Sequence, residues 1–201
     1  MVRTGCGDGS VATVNSLRLR SSVVLAAAAV MALTACSSSV LPSSVAQTPG
    51  CPTALPDSGG TPEWTLPGAT GSVAVTGSTD TTAPLVSVAP PFSVTETQVQ
   101  TLQPGAGPVV TDTATVSVCY MGVNGRDGTV FDSSYQRGAP VEFPLDGVVP
   151  GFQKAIAGQN VGSTVAVAMT SADGYPNGQP AAGILPGDSL VFAIKVLDVT
   201  G

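Results

Sequence analysis

Residues 127–152 read DGTVFDSSYQRGAPVEFPLDGVVPGF, from Asp127 to Phe152, and this stretch decides the fold. Asp127-Gly128 supplies a tight turn. Thr129 to Ser133 and Val141 to Phe143 are short strand-like runs. Val148-Val-Pro-Gly-Phe152 then enters a short helix, predicted over 152–157, with Gly158 placed to end it. No upstream stretch has this density of apolar and aromatic residues with single polar ones between them. Its character is an aromatic-walled hollow holding one carboxylate, Asp132.

The flanking segments supply the rest of a sheet. Thr115 to Val123 alternates, with Val116, Val118 and Tyr120 on one face and Thr115, Ser117 and Cys119 on the other. Asn124-Gly125 is a further turn signal. Upstream, SVTETQVQTL from Ser93 reads as a strand leaving into the turn-rich QPGAGPVVTD. Downstream, Thr164 to Met169 alternates with Val165, Val167 and Met169 on one side. Leu190 to Val199 closes the chain, with Leu190, Phe192, Ile194 and Val196 sharing a face. Several antiparallel strands and a single short helix predict an α+β domain over residues 93–201, one twisted sheet wrapped over one helix.

Composition removes several function classes. The 201-residue chain has no histidine, which excludes Ser-His-Asp and Cys-His catalysis and the usual zinc sets. No cofactor or metal is expected. The formal net charge is −6, and beyond Arg20 only Arg126, Arg137, Lys154 and Lys195 are basic. Such a chain has no electrostatic footprint for nucleic acid and no basic stripe for anionic lipid. Four of five Phe and all three Tyr lie between Tyr120 and Phe192, so the core and any pocket belong to the C-terminal half.

Residues 1–35 read as an export signal. Arg18 and Arg20 precede the apolar run VVLAAAAVMAL, Val23 to Leu33, which is too short for a membrane span of ~20 residues. Leu33-Thr-Ala-Cys36 resembles the bacterial lipobox. That resemblance implies cleavage before Cys36, acylation of its sulfur and an extracytoplasmic, membrane-anchored protein. Residues 36–92 are rich in Ser, Thr, Pro and Gly with no sustained period, and are expected to be a disordered tether. Within it, Trp64 either docks onto the domain or is exposed.

In order along the chain stand Val118-Cys-Tyr-Met-Gly122, Asp127-Gly-Thr-Val-Phe-Asp-Ser-Ser134, Val148-Val-Pro-Gly-Phe152, Val161-Gly-Ser163, Gly183-Ile-Leu-Pro186 and Leu190-Val-Phe192. This ordered set resembles the FK506-binding-protein type (FKBP) of peptidyl-prolyl cis-trans isomerase, in its bacterial lipoprotein form. The resemblance implies an antiparallel sheet of five to six strands around a short helix, proline-containing polypeptides as substrates and FK506-type macrolides as inhibitors. A monomer is expected. It implies that Tyr120, Phe131, Phe143 and Phe192 are aromatic walls and that Phe152 is the pocket floor. Val148 and Val149 match an aliphatic pair whose second member offers its N–H to the ligand. Tyr175 matches the tyrosine whose hydroxyl binds the substrate backbone, and Ile184 and Leu185 match an aliphatic rim. Asp132 matches the single carboxylate, with Arg137 as its ion partner. Three positions depart from the family pattern. Val141 stands where an aromatic is usual, Phe152 where many relatives have Trp, and Pro176 follows Tyr175 where relatives place Gly.

The implied chemistry suits a histidine-free chain. Resonance sets the barrier to rotation about a peptide bond at roughly 18–20 kcal/mol. The planar amide is the more charge-separated state, so a dry pocket disfavours it relative to the twisted one. Only X-Pro bonds have near-balanced isomers and slow exchange worth catalysing. The work is differential binding of the twisted amide, without a nucleophile. Asp132 either contacts the carbonyl carbon or orients Tyr120. The alternative function is a proline-binding chaperone or interaction module with weak catalysis. A solute-binding lipoprotein is disfavoured because the domain is small and has no second lobe.

Two thiols remain once Cys6 leaves with the signal and Cys36 carries lipid. Cys119 is expected to face away from Tyr120, and Cys51 lies in the tether. Either the two form a disulfide on the outer face of the sheet, or Cys119 is a small buried residue and Cys51 a free thiol.

Overall fold

The computed structural model describes residues 50–56 and 60–200. The export signal over 1–35 and Cys36 lie outside the described residues. Nine strands and two short helices follow in order: β1 (Trp64–Pro67), β2 (Thr70–Thr76), β3 (Leu85–Ser93), β4 (Gln98–Gln103), β5 (Thr115–Asn124), β6 (Val130–Ser133), α1 (Ser134–Arg137), β7 (Val141–Pro144), α2 (Pro150–Ile156), β8 (Thr164–Met169) and β9 (Leu190–Thr200). One-turn 3-10 helices fill parts of the connections.

The larger sheet has the order β4-β8-β9-β5-β6, all antiparallel. Strand β5 pairs with β9 along its full length, from Thr115 opposite Thr200 to Asn124 opposite Leu190. Its other edge is shared. Strand β7 takes Thr115 to Val118, and β6 takes Met121 to Val123. The expected sheet around one short helix is therefore present. Helix α2 starts at Pro150, where a missing N–H costs nothing, with Val149 as its N-cap. It ends at Ile156, and Gly158 beyond it adopts φ +81°, a left-handed backbone that side chains disfavour.

The inner face of this sheet follows the predicted alternation. Val116, Val118 and Tyr120 of β5, Val165, Val167 and Met169 of β8, and Leu190, Phe192, Ile194 and Val196 of β9 form one core with Phe152, Ala155 and Ile156 of α2.

The outer face departs from the expected tether. From Trp64 onward the Ser/Thr/Pro/Gly-rich segment folds into a three-stranded antiparallel sheet, β1-β2-β3. Leu66, Val73, Val75 and Phe92 pack there onto Ala166, Ala168, Val191 and Ala193, the outward residues of β8 and β9. Trp64 docks against this second core. A Ser/Thr/Pro/Gly-rich composition without a sustained period reads as disordered, because it does not reveal which surface its apolar residues meet. The three strands are ordered by what they cover. Every residue of β8 is buried, on both faces.

Two further ties fix this layer. The Phe92 N–H donates to the Gly125 carbonyl (2.8 Å), and the Gly125 N–H donates to that of Ser189 (2.9 Å). Cys51 and Cys119 are joined by a disulfide, with Cα atoms 5.6 Å apart. Both are buried beside Met121, Val123 and Tyr135. Among the described residues no helix is long and apolar enough to cross a membrane.

Replacing Phe92, which is 2% exposed, by Ala should cost ~3–5 kcal/mol, read as a lowered midpoint in chemical denaturation. The Cys51→Ala, Cys119→Ala pair opens a loop of 68 residues and should cost roughly 4 kcal/mol on the chain-entropy account.

Candidate active site

Between α2, the inner ends of β5 and β9, and the loop after β8 lies a cleft of about 400 Å³, within the range of small-ligand sites. Tyr120, Phe131, Asp132, Phe143, Val148, Val149, Phe152, Tyr175 and Phe192 line it, with Gly147. Nine of the residues named from sequence thus converge.

The aromatic walls interlock. Phe152 meets Tyr120, Phe143 and Phe192 with ring centroids 5.8, 5.9 and 5.4 Å away and planes 78–86° apart. It is the floor, with three neighbours standing edge-on around it, a favoured aromatic arrangement. Phe131 meets Phe192 in the same way at 5.5 Å. That meeting depends on Gly122 of β5. A Cβ there would lie 2.6 Å from Phe131 and 2.8 Å from Phe192.

One polar cluster edges this apolar surface. The Tyr120 hydroxyl donates to Asp132 Oδ2 in a short hydrogen bond. Arg137 donates from Nη1 to Asp132 Oδ1 and from Nη2 to the Tyr120 hydroxyl oxygen (3.2 Å). Burial, then the Asp132 hydrogen bond, push the Tyr120 phenol up to about 12. Burial also pulls Asp132 upward, but hydrogen bonds from Tyr120 and Arg137 outweigh it and hold the carboxyl below its ordinary value. Both shifts describe one state, a neutral phenol donating to a carboxylate.

Both Asp132 oxygens are therefore engaged by the protein, which favours the orienting role over direct contact with a substrate carbon. Two donors remain. Among the described residues the Tyr175 hydroxyl has no hydrogen-bond partner, and the Val149 amide makes no hydrogen bond outside the short helices it joins.

The loop carrying Tyr175 is fastened at both ends. Lys154 of α2 and the Thr97 hydroxyl bond Asp173, holding its carboxyl below the ordinary range. At the far end Asp188 accepts from Asn124, Arg126 and the Leu185 N–H.

Arg137 pairs with Asp132, as expected, and does not itself line the cleft. Two expected contacts differ. Ile184 is 1% exposed and belongs to the inner core rather than to a rim. Leu185 is 51% exposed and does not line the cleft. Adjacent residues on an irregular loop have no fixed alternation, so their facing follows from packing alone. Gly122 stands in one of the sequence motifs without a role of its own, because its contribution is the absence of a side chain, and Gly147 stands in none of them. Among the described residues no three of His, Cys, Asp and Glu gather as a metal site would need.

Residues 107–197 match the family model of the FKBP-type peptidyl-prolyl cis-trans isomerases. The chain is 37% identical over 102 residues to an FKBP-type 22 kDa peptidyl-prolyl cis-trans isomerase of Escherichia coli, covering 51% of this chain and 49% of that protein. It is 36% identical over 107 residues to the peptidyl-prolyl cis-trans isomerase Mip of Coxiella burnetii, covering 51% and 44%. The chain thus spans about half the length of these curated relatives. A solved peptidyl-prolyl cis-trans isomerase of Pseudomonas syringae is 30% identical, with a TM-score of 0.47 over 52% of this chain and 76% of that one. Residues 107–197, somewhat under half of the chain, thus carry the match to the FKBP-type peptidyl-prolyl cis-trans isomerase family.

Proposed function

We propose that this protein catalyses cis-trans rotation about X-Pro bonds in exported polypeptides as they fold. The observation that carries this reading is the cleft itself, five interlocked aromatics with one polar cluster at the edge. A proline ring fits an apolar floor, and the amide before it leaves water on entry. Loss of water weakens the planar, charge-separated amide more than the twisted one. The Val149 N–H and the Tyr175 hydroxyl are the free donors for the substrate backbone. Asp132, held by Arg137, fixes the Tyr120 ring as one wall. Macrolides of the FK506 type would compete for the same surface.

We further infer that the protein acts outside the cytoplasm as a monomer on a lipid anchor. The support is the apolar run ending at Leu33-Thr-Ala-Cys36, with more than one acyl chain giving stable attachment.

A proline-limited refolding assay, with and without an FK506-type inhibitor, tests the activity. Asp132→Ala should lower kcat/KM by about tenfold, the scale of one lost charge-assisted hydrogen bond. Phe192→Ala should lower it further and also lower stability, because it opens the core. A folded Phe192→Ala protein with full activity would remove the cleft from consideration.

The pH dependence follows from Asp132. Its carboxyl is depressed in the folded state, so its contribution is complete above the ordinary carboxylate value and is lost as pH falls through the lowered one. Activity should be level from neutrality down to about pH 4 and decline below it. Arg137→Ala removes one cause of the depression, and its acid limb should move to higher pH.

Cys36→Ala should release the protein from the membrane fraction or leave it unprocessed. A normally processed, fully membrane-bound variant would refute the anchor.

A further inference from the structure

Strand β6 stops at Ser133, whose hydroxyl caps α1 by accepting from the Gln136 N–H (3.3 Å). Tyr120, the next position along β5, therefore faces Ser134 instead of a strand residue. The Tyr120 N–H donates to the Ser134 hydroxyl oxygen (2.8 Å), and that hydroxyl lies 3.4 Å from the Tyr120 carbonyl. A side chain thus takes the place of a ladder partner behind a wall of the cleft. Ser134 is fully buried, so water cannot replace it there.

The same residue touches the N-terminal segment, which lies outside the family match over 107–197. The Ser134 oxygen is 3.5 Å from Cys51 Sγ, on the Cys51–Cys119 bridge. Its neighbour Tyr135, 2% exposed, donates to the Ser78 hydroxyl (2.8 Å). Helix α1 is only four residues long and is held from behind at these two points. Its last residue, Arg137, reaches around to Asp132 and the Tyr120 hydroxyl. Ser134 therefore bears on the Tyr120 backbone directly and on the Tyr120–Asp132 pair through α1.

We propose that Ser134 is a positioning residue of the cleft, and that the Cys51–Cys119 clamp of the N-terminal segment acts on the cleft through it. The clamp seats α1. Ser134 fixes where the Tyr120 main chain lies, and Arg137 fixes where Asp132 lies. Ser134 itself does not line the cleft. Its loss should therefore disturb the step that depends on alignment more than the binding of the substrate.

This inference rests on the isomerase reading for its kinetic readout, so a second readout is independent of activity. Ser134→Ala, Ser163→Ala and the Cys51→Ala, Cys119→Ala pair would be compared with the full chain. Kinetics give kcat and KM on a proline peptide, and carbon NMR gives the titration of the Asp132 carboxyl. Ser163→Ala is the control, a buried hydroxyl that accepts from the Gly105 N–H (2.9 Å) outside the cleft. Ser134→Ala should lower kcat about fivefold with KM nearly unchanged, the scale of one lost buried hydrogen bond. It should also raise the Asp132 midpoint toward its ordinary value, while Ser163→Ala moves neither. A folded Ser134→Ala protein with wild-type kcat and an unmoved Asp132 midpoint overturns the proposal. If Ser134→Ala does not fold, the double cysteine variant decides. It leaves Ser134 and every cleft residue in place, and it must shift kcat and Asp132 in the same directions. If the unmodified chain shows no isomerase activity, the functional reading fails. The Asp132 titration then still decides the positioning role, since a raised midpoint supports it and an unmoved one overturns it.

Discussion

Strand β5 is paired on both edges and buried on both faces, and the rest of the fold depends on that constraint. Its inward residues Val116, Val118 and Tyr120 build the core and reach the cleft, while its outward Cys119, Met121 and Val123 carry the second layer. Because side chains on a strand alternate with period two, Tyr120 and Cys119 must point to opposite faces. A one-residue slip would place a phenol under the N-terminal layer and turn Cys119 toward the cleft, away from its disulfide partner Cys51. The long pairing with β9 and the shared edge with β6 and β7 prevent that slip.

The cleft inherits its rigidity from this strand. Its floor, Phe152, comes from α2, and its walls come from β5, β6, β7 and β9. Two lining segments are irregular: Val148 and Val149 lead straight into α2, and ion pairs pin the Tyr175 loop at Asp173 and Asp188. A site that acts by shape and dryness needs such stiffness, since preorganised surroundings favour the twisted amide only if they do not relax around the planar one. The exposed Arg137–Asp132 pair adds little to stability in water. Its effect is local, in fixing the protonation and direction of two side chains.

The N-terminal layer changes how the outer face is understood. Ala166, Ala168, Val191 and Ala193 are apolar where a sheet with one wet face would carry polar residues. Those positions were a sign in the chain that something covers them. So was the alternation of Val73 with Val75, and of Val86 with Val88, in a segment otherwise rich in Ser, Thr, Pro and Gly. Each signal is weak alone, because short runs of Ala and Val suit a tether or a strand equally.

Local chemistry by itself determined the strands from Thr115 onward, the presence of a short helix around Phe152, the aromatic composition of the cleft and the opposite facing of Cys119 and Tyr120. These follow from period-two alternation, turn residues and a Val-Val-Pro-Gly-Phe entry, all of which act within a few positions, while the helix itself begins at Pro150 rather than at the expected Phe152. Only the tertiary structure decided that residues 64–93 are ordered, since their strands are stable through the surface they cover. It alone placed Ile184 in the core, both Asp132 oxygens in protein hydrogen bonds, and Ser134 behind Tyr120. Each of those depends on residues brought together from distant positions, and no local pattern encodes which partner a buried hydroxyl or carboxylate will meet.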